Sequence, residues 1–292
     1  MPEGALDVGL VLGPHRRGTG DPTWRAGHDG AVWRTSRTPD GPGTLRVSMR
    51  AGSVHGQAWG PGAEWLLEAL PALLGAEDDA SGFSVRHGVL EDVARKHAGL
   101  RIGRTGRVME ALVPAVLEQK VVGREAWRAW RWLLNRYGEP APGPAPEGMR
   151  VVPETSVWRE VPSWHWHRAG AEAVRARTIA TAAWHAAKLE AAGTSEELDR
   201  LLRALPGIGV WTSAEVRQRA FGDPDAVSVG DFHLAKLVGY ALTGEKTDDP
   251  GMMRLLEPYK GHRHRATVLI WLTGLRPPAR GPRMPVRDYR SF

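Results

Sequence analysis

The 292-residue chain contains no cysteine. That absence excludes disulfides, thiolate nucleophiles, zinc–cysteine sites and cysteine-ligated iron–sulfur clusters. Long apolar runs are missing too, and none reaches the roughly 20 residues that a membrane-spanning helix needs. The first residues lack a basic stretch followed by an apolar core, so no secretory signal is expected and the anticipated location is cytoplasmic. Acids are the minority charge: 33 Asp and Glu face 39 Lys and Arg, a formal net charge of +6. A basic surplus favours an anionic partner without identifying one. Most of it is arginine, whose planar fork suits bidentate phosphate contacts. With 42% hydrophobic and 25% charged residues the composition is globular, and the length allows two domains.

The first 60 or so residues are rich in Gly, Pro and Thr and lack a helical period. Residues 23–52 alternate bulky with small or polar side chains, punctuated by Asp-Gly and Gly-Pro-Gly steps. That is the pattern of strands joined by tight turns. Residues 65–75 read as a short apolar helix interrupted at Pro71. A small α+β domain is therefore expected over residues 1–90, with the acidic stretch 75–82 as a solvated loop. Beyond it the pattern turns helical. Residues 107–137 read as two helices meeting near Gly123. Leu112, Val116 and Gln119 share a face of the first, and Trp127, Trp130, Leu134 and Tyr137 are spaced alike on the second. Residues 139–148 form a Pro/Gly connector that reads as stiff and exposed. His165 and His167 lie beside tryptophans without carboxylates at ligand spacing, which points to packing or DNA contact rather than a metal. Arg175, Arg177 and Lys188 are candidates for phosphate contact or for plain surface charge. A later helix carries Trp271 on its apolar stripe, and a Pro- and Arg-rich tail over residues 276–292 is expected to wrap the surface.

Residues 194–240 carry the most informative pattern. Thr194 or Ser195 can cap a helix with acids in its first turn. Leu198, Leu201, Leu202 and Leu205 recur at helical spacing. Pro206 ends that helix, Gly207 and Gly209 permit hairpin angles closed to most residues, and a second helix starts near Trp211. Hairpin N–H groups and the helix start together make a seat for phosphate. Such a grip positions a duplex without reading its sequence. Asp231 follows a short loop at the start of another helix. A carboxylate there is ordinarily a cap, yet the short connection can also hold it beside the sugar of a gripped nucleotide.

LPGIGVWTSAEVRQRAFG followed by VSVGDFHLAK resembles the helix-hairpin-helix and Gly/Pro…Asp signature of the DNA glycosylase superfamily. ALVPAVLEQKVVGREAW looks like the first helix of that fold, including its glutamine at Gln119. VPSWHWHRAGAEAVRARTI and RHRATVLIWL look like its middle and last helices. SRTPDGPGTLRV is similar to the N-terminal domain of alkylation-repair enzymes of the bacterial 3-methyladenine DNA glycosylase II type. The resemblance implies a mainly α fold, with helical glycosylase domains over residues 91–275 behind the small N-terminal α+β domain. It implies base excision repair on double-stranded DNA containing a damaged base, by a monomer in the bacterial cytoplasm at the nucleoid. No cofactor would be required and no iron–sulfur cluster is expected.

In bifunctional members, the residue two past the second hairpin glycine is a lysine that attacks the sugar. Trp211 stands there, so the implied enzyme is monofunctional: it hydrolyses the N-glycosidic bond and cuts no strand. Asp231 would be the catalytic carboxylate, stabilising positive charge on the sugar or also activating water. Trp211, Trp271 and Gln119 would line the base pocket, where an indole attracts a positively charged alkylated purine by roughly 0.5–2 kcal/mol. Gly207, Ile208, Gly209 and Thr212 would grip the DNA backbone. The carbonyls of Arg203, Leu205 and Ile208 match family positions that hold a structural Na+ or K+. Two residues depart from the pattern. Glu215 replaces a pocket aromatic, and either pairs with Arg219 one turn on or contacts the flipped base. Lys120 replaces an apolar wedge, so either Val121 enters the duplex instead or Lys120 contacts phosphate. Two other functions remain open: excision of deaminated or oxidised bases, and a catalytically silent helix-hairpin-helix DNA-binding protein.

Overall fold

The computed structural model describes residues 6–278 and Asp288. Strands form where the sequence alternates. After α1 (Val8–Leu12), an antiparallel meander runs through β1 (Trp24–Ala26), β2 (Val32–Thr38), β3 (Gly41–Arg50) and β4 (Ser53–Trp59), in sequence order across the sheet. The apolar helix expected next is two short ones, α2 (Ala63–Glu68) and α3 (Leu70–Leu73), with Pro71 in the first turn of the second, where its missing N–H costs nothing. Leu66 and Leu73 close over Leu12, Val32, Leu45 and Val47 to make the N-terminal core.

The chain then turns helical: α4 (Glu91–Lys96), α5 (Val108–Leu117) and α6 (Gly123–Tyr137). The Pro/Gly connector is exposed along much of its length, as its composition predicts. Its first two residues form β5 (Glu139–Pro140), which pairs with β6 (Arg150–Val151) just after it, and the Thr35 hydroxyl ties that ribbon to the sheet by donating to the Arg150 carbonyl at 2.6 Å. Six helices follow: α7 (Thr155–Glu160), α8 (Ser163–Ala169), α9 (Ala173–Trp184), α10 (Ala186–Glu190), α11 (Ser195–Arg203) and α12 (Val210–Ala220). Leu112, Val116, Trp130, Leu134, Ile179, Leu198 and Leu202 are buried together in this part, as the helical spacing predicts for those on α5, α6 and α11. Each such leucine contributes about 1.5–3 kcal/mol by leaving water. His165 is packed among the rings of Trp132, Tyr137 and Trp164.

A third core gathers α13 (Leu234–Thr243), α14 (Asp249–Leu256) and α15 (Arg263–Leu272) around Val238, Met252, Leu256 and Ile270. Leu90 and Val93 join it from the start of the helical region. The acidic stretch 75–82 is not simply a solvated loop. Asp78 reaches inward to pair with Arg265, both side chains almost fully buried, and its second oxygen accepts the Ile102 N–H at 2.8 Å. Among the described residues no helix is long and apolar enough to cross a membrane. Beyond Pro278, and apart from Asp288, the basic tail lies outside the described residues.

Sheet and helices are joined through Glu110 on α5. Its carboxylate accepts from the Arg34 guanidinium (3.0 Å), the Ser36 hydroxyl (2.6 Å) and the Arg37 backbone N–H (2.5 Å). Removing one partner of a buried ion pair strands the other charge, at a cost of about 3–5 kcal/mol. Glu110→Ala is therefore expected to lose about that much stability in urea unfolding, and a loss near zero would show that the junction does not depend on this carboxylate.

Candidate functional site

Thr194 is the residue that caps α11: its hydroxyl accepts the Glu197 N–H at 3.1 Å, while Ser195 donates its own hydroxyl to Asp223. After Arg203 the helix tightens, with Leu205 N–H bonded to the Leu202 carbonyl (3.0 Å) and Ile208 N–H to the Leu205 carbonyl (3.2 Å). Gly207 adopts φ 86°, and a Cβ there would also collide with the Thr178 hydroxyl on α9. Only glycine meets both conditions. Gly209 is a different case. Its φ of −100° and ψ of −175° are ordinary extended angles, so the expected special geometry is absent there. No atom lies within 4 Å of where its Cβ would sit, which leaves the hairpin surface open. Ile208 is buried beneath, and Pro206, Gly207, Gly209 and Val210 are exposed.

Gln119 holds this hairpin from the turn after α5. Its amide Nε2 donates to the Gly207 carbonyl and to the Thr212 hydroxyl, each at 2.9 Å. The Thr212 side chain is buried beneath the hairpin and engaged with Gln119. The same turn is gripped from behind by Arg175, which donates to the carbonyls of Leu117 (3.4 Å) and Gln119 (3.3 Å). Arg175 is thus buried and not a phosphate contact, whereas Arg177 is exposed. Lys120 projects from the turn with φ 55°, an uncommon angle for a side-chain-bearing residue. It is exposed, while Val121 packs partly against the helical core.

Asp231 lies just beyond a sharp bend at Gly230 (φ 90°), whose N–H is held by Asp249 at 3.0 Å. One carboxylate oxygen, Oδ1, accepts the N–H groups of His233 (2.8 Å) and Leu234 (2.9 Å) and so opens α13. The other, Oδ2, accepts the Trp211 indole N–H at 3.3 Å. The structure thus brings together Trp211 and Asp231, 20 positions apart, with both half-buried. Phe232 beside them is 68% exposed, with the Lys236 ammonium 3.9 Å from its ring centre. Position next to Asp231 was the only sequence signal for it. Trp271 is not a core residue: it is 43% exposed, and the Arg276 guanidinium lies 4.7 Å above its ring.

Glu215 takes the pairing role. Arg219 donates to one of its oxygens at 2.8 Å and the Ser228 hydroxyl to the other. Burial favours the neutral acid, but Arg219, Ser228 and Arg17 outweigh it and hold the carboxyl below its usual range. The neighbouring His264 is pushed down to about 4, first by burial and then by the positive charge of Arg219. Its folded value lies below the ordinary 6.5, so between pH 6.5 and about 4 the unfolded chain binds a proton that the native chain does not. Stability therefore falls as pH falls through that window. His264→Gln is expected to flatten that part of a melting-temperature profile against pH, and an unchanged slope would mean that the ring titrates normally.

No family model matches the chain. Two curated proteins of Mycobacterium tuberculosis, from strains CDC 1551 and H37Rv, are each named "probable bifunctional transcriptional activator/DNA repair enzyme AlkA". Both are 29% identical over 214 residues, which is 70% of this chain and 39% of theirs. The chain thus spans well under half the length of these relatives. Among solved structures, a 3-methyladenine DNA-glycosylase from Archaeoglobus fulgidus superposes with a TM-score of 0.73 at 15% identity, covering 93% of this chain and 97% of that one. The 8-oxoguanine glycosylase/lyase of Clostridium acetobutylicum, in complex with double-stranded DNA containing cytosine opposite 8-oxoG, gives 0.70 at 11% identity, covering 92% and 91%. Sheet, helical cores, hairpin and aspartate occur here in the order that the resemblance implied, and the chain has the fold of the helix-hairpin-helix DNA glycosylases.

Proposed function

We propose that this protein is a monofunctional DNA glycosylase that hydrolyses the N-glycosidic bond of alkylated purines in base excision repair. The observation that carries the reading is Asp231, held against Trp211 at the start of α12 and joined to the exposed glycine hairpin through that helix and a short loop. The hairpin would seat a phosphate, assisted by the start of α12. The damaged base leaves the stack, at a cost of a few kcal/mol. As the bond to the base breaks, its electron pair departs with the base and positive charge grows on the sugar. An ionised carboxylate nearby stabilises that charge. Water then bonds to the sugar carbon and yields its proton to the carboxylate or to solvent. Trp211 cannot form a Schiff base, which supports hydrolysis without strand cutting. A monovalent cation at the carbonyls of Arg203, Leu205 and Ile208 would join the hairpin to phosphate. The Leu205 carbonyl already accepts one N–H and retains a second lone pair for such an ion.

One observation favours a second reading, excision of neutral deaminated or oxidised bases. Arg276 already places a cation over Trp271, and a positively charged base would have to share that ring. Base release from duplexes carrying methylated, deaminated and oxidised bases separates the two. Asp231→Asn is expected to keep DNA binding and to lose about a hundredfold or more in release rate. Equal release by both proteins would remove Asp231 from its role, and binding without release on any lesion would leave a silent DNA-binding protein. The product strand is expected to break only after hot alkali; spontaneous breakage would mean a lyase. The affinity for DNA is also expected to fall steeply with salt as phosphate contacts release counterions, and a flat dependence would contradict the proposed grip.

A further inference from the structure

A groove with a volume of about 530 Å³ lies between α7, α8 and α9. It is away from the hairpin. Ala176 and Ala180, which line it, stand two residues either side of Thr178, the residue against which Gly207 packs, and so point to roughly the opposite side of α9. The buried rings of Trp158 and Trp166 contribute to its walls. One of the most exposed aromatic side chains, Trp184 at 70%, stands one turn beyond Ala180 on α9 and against Arg159, which lines the groove. A large exposed aromatic next to an apolar concavity marks an interaction surface more often than chance solvent exposure.

The charge at the rim indicates what would bind. Arg159 and Arg177 are exposed and line the groove, together with His167. Glu172 is the one carboxylate among the lining residues, and it lies 3.9 Å from the buried Arg175 guanidinium, a partner for its charge. The rim therefore presents net positive charge around an apolar floor.

We propose that this groove docks an acidic peptide segment of a partner protein, with a leucine or aromatic side chain seated between α8 and α9 and its carboxylates on Arg159 and Arg177. Single-stranded nucleic acid shares the negative charge but fits less well. The face of Trp184 that a base would stack on is covered by the Arg159 guanidinium, 4.3 Å from the ring centre. The lining is mostly alanine, valine and tryptophan, which suits an apolar side chain better than a polar base edge. Because groove and hairpin occupy opposite sides of α9, such a partner would bind while the hairpin remains free for DNA.

Random peptides displayed on phage and selected against the full chain, with counter-selection against Arg159→Glu/Arg177→Glu, test this. Peptides rich in Asp and Glu around an apolar anchor are expected to be enriched. A synthetic copy of the leading peptide should lose about tenfold or more in affinity to the charge-reversed protein, and likewise to Ala173→Trp, which fills the groove from an exposed position. Both variants should melt at the wild-type temperature, and Ala173→Trp, which leaves the surface charge unchanged, should bind duplex DNA as before. Failure to enrich any groove-dependent peptide, or enrichment of basic ones, would overturn the proposal. So would tight binding of an oligothymidine that the same substitutions abolish, which would assign the groove to single-stranded nucleic acid.

Discussion

The hydrogen bond from the Trp211 indole to Asp231 spans a seam between two hydrophobic cores. Trp211 belongs to α12, whose Val216 and Ala220 are buried with α5 and α9. Asp231 opens α13, which packs with α14 and α15. The distance from hairpin to carboxylate is therefore fixed only as well as these two cores are fixed to each other. A row of polar contacts does that work. Gln218 donates to the Ala226 carbonyl and the Ser228 hydroxyl, Ser228 donates to Glu215, and Arg263 pairs with Asp225. Each of these holds the loop between α12 and α13 from one side or the other. A carboxylate placed by a free loop would wander by more than a catalytic geometry tolerates.

The hairpin is braced from other directions too. Gln119 reaches its Gly207 carbonyl from the end of α5, and Arg175 on α9 fixes the turn that carries Gln119. Thr178, also on α9, closes off the space where a side chain at Gly207 would stand. Two helices, α5 and α9, thus converge on one backbone turn. Exposure of Lys120 follows from the same bracing, since the turn that projects it is held through its carbonyls and not through its side chain.

Much of this was legible from local pattern. The Thr194 cap, the leucines of α11, the break at Pro206 and the start of α12 are consequences of neighbouring residues, and they stand as the spacing predicts. What escaped depends on partners distant in sequence. Asp78 reads as one acid in a solvated loop because its partner, Arg265, is 187 positions away. Arg175 reads as a surface cation because nothing nearby shows that it will be buried against α5. Gly209 failed for another reason: a glycine pair suggests strained angles at both positions, but only Gly207 needs them, and Gly209 instead leaves open space.

Asp231 shows why the bland and the functional reading of one residue need not compete. A helix cap needs a lone pair, which a neutral amide oxygen supplies almost as well as a carboxylate. Stabilising an oxocarbenium-like sugar needs the negative charge itself. In this structure the two demands fall on different atoms. Oδ1 carries the cap through His233 and Leu234, and Oδ2, in contact with Trp211, keeps lone-pair capacity for substrate or water. The capping bonds hold the group still, and the charge remains for chemistry. The cap that the position ordinarily implies is therefore the means by which a catalytic carboxylate would be oriented there.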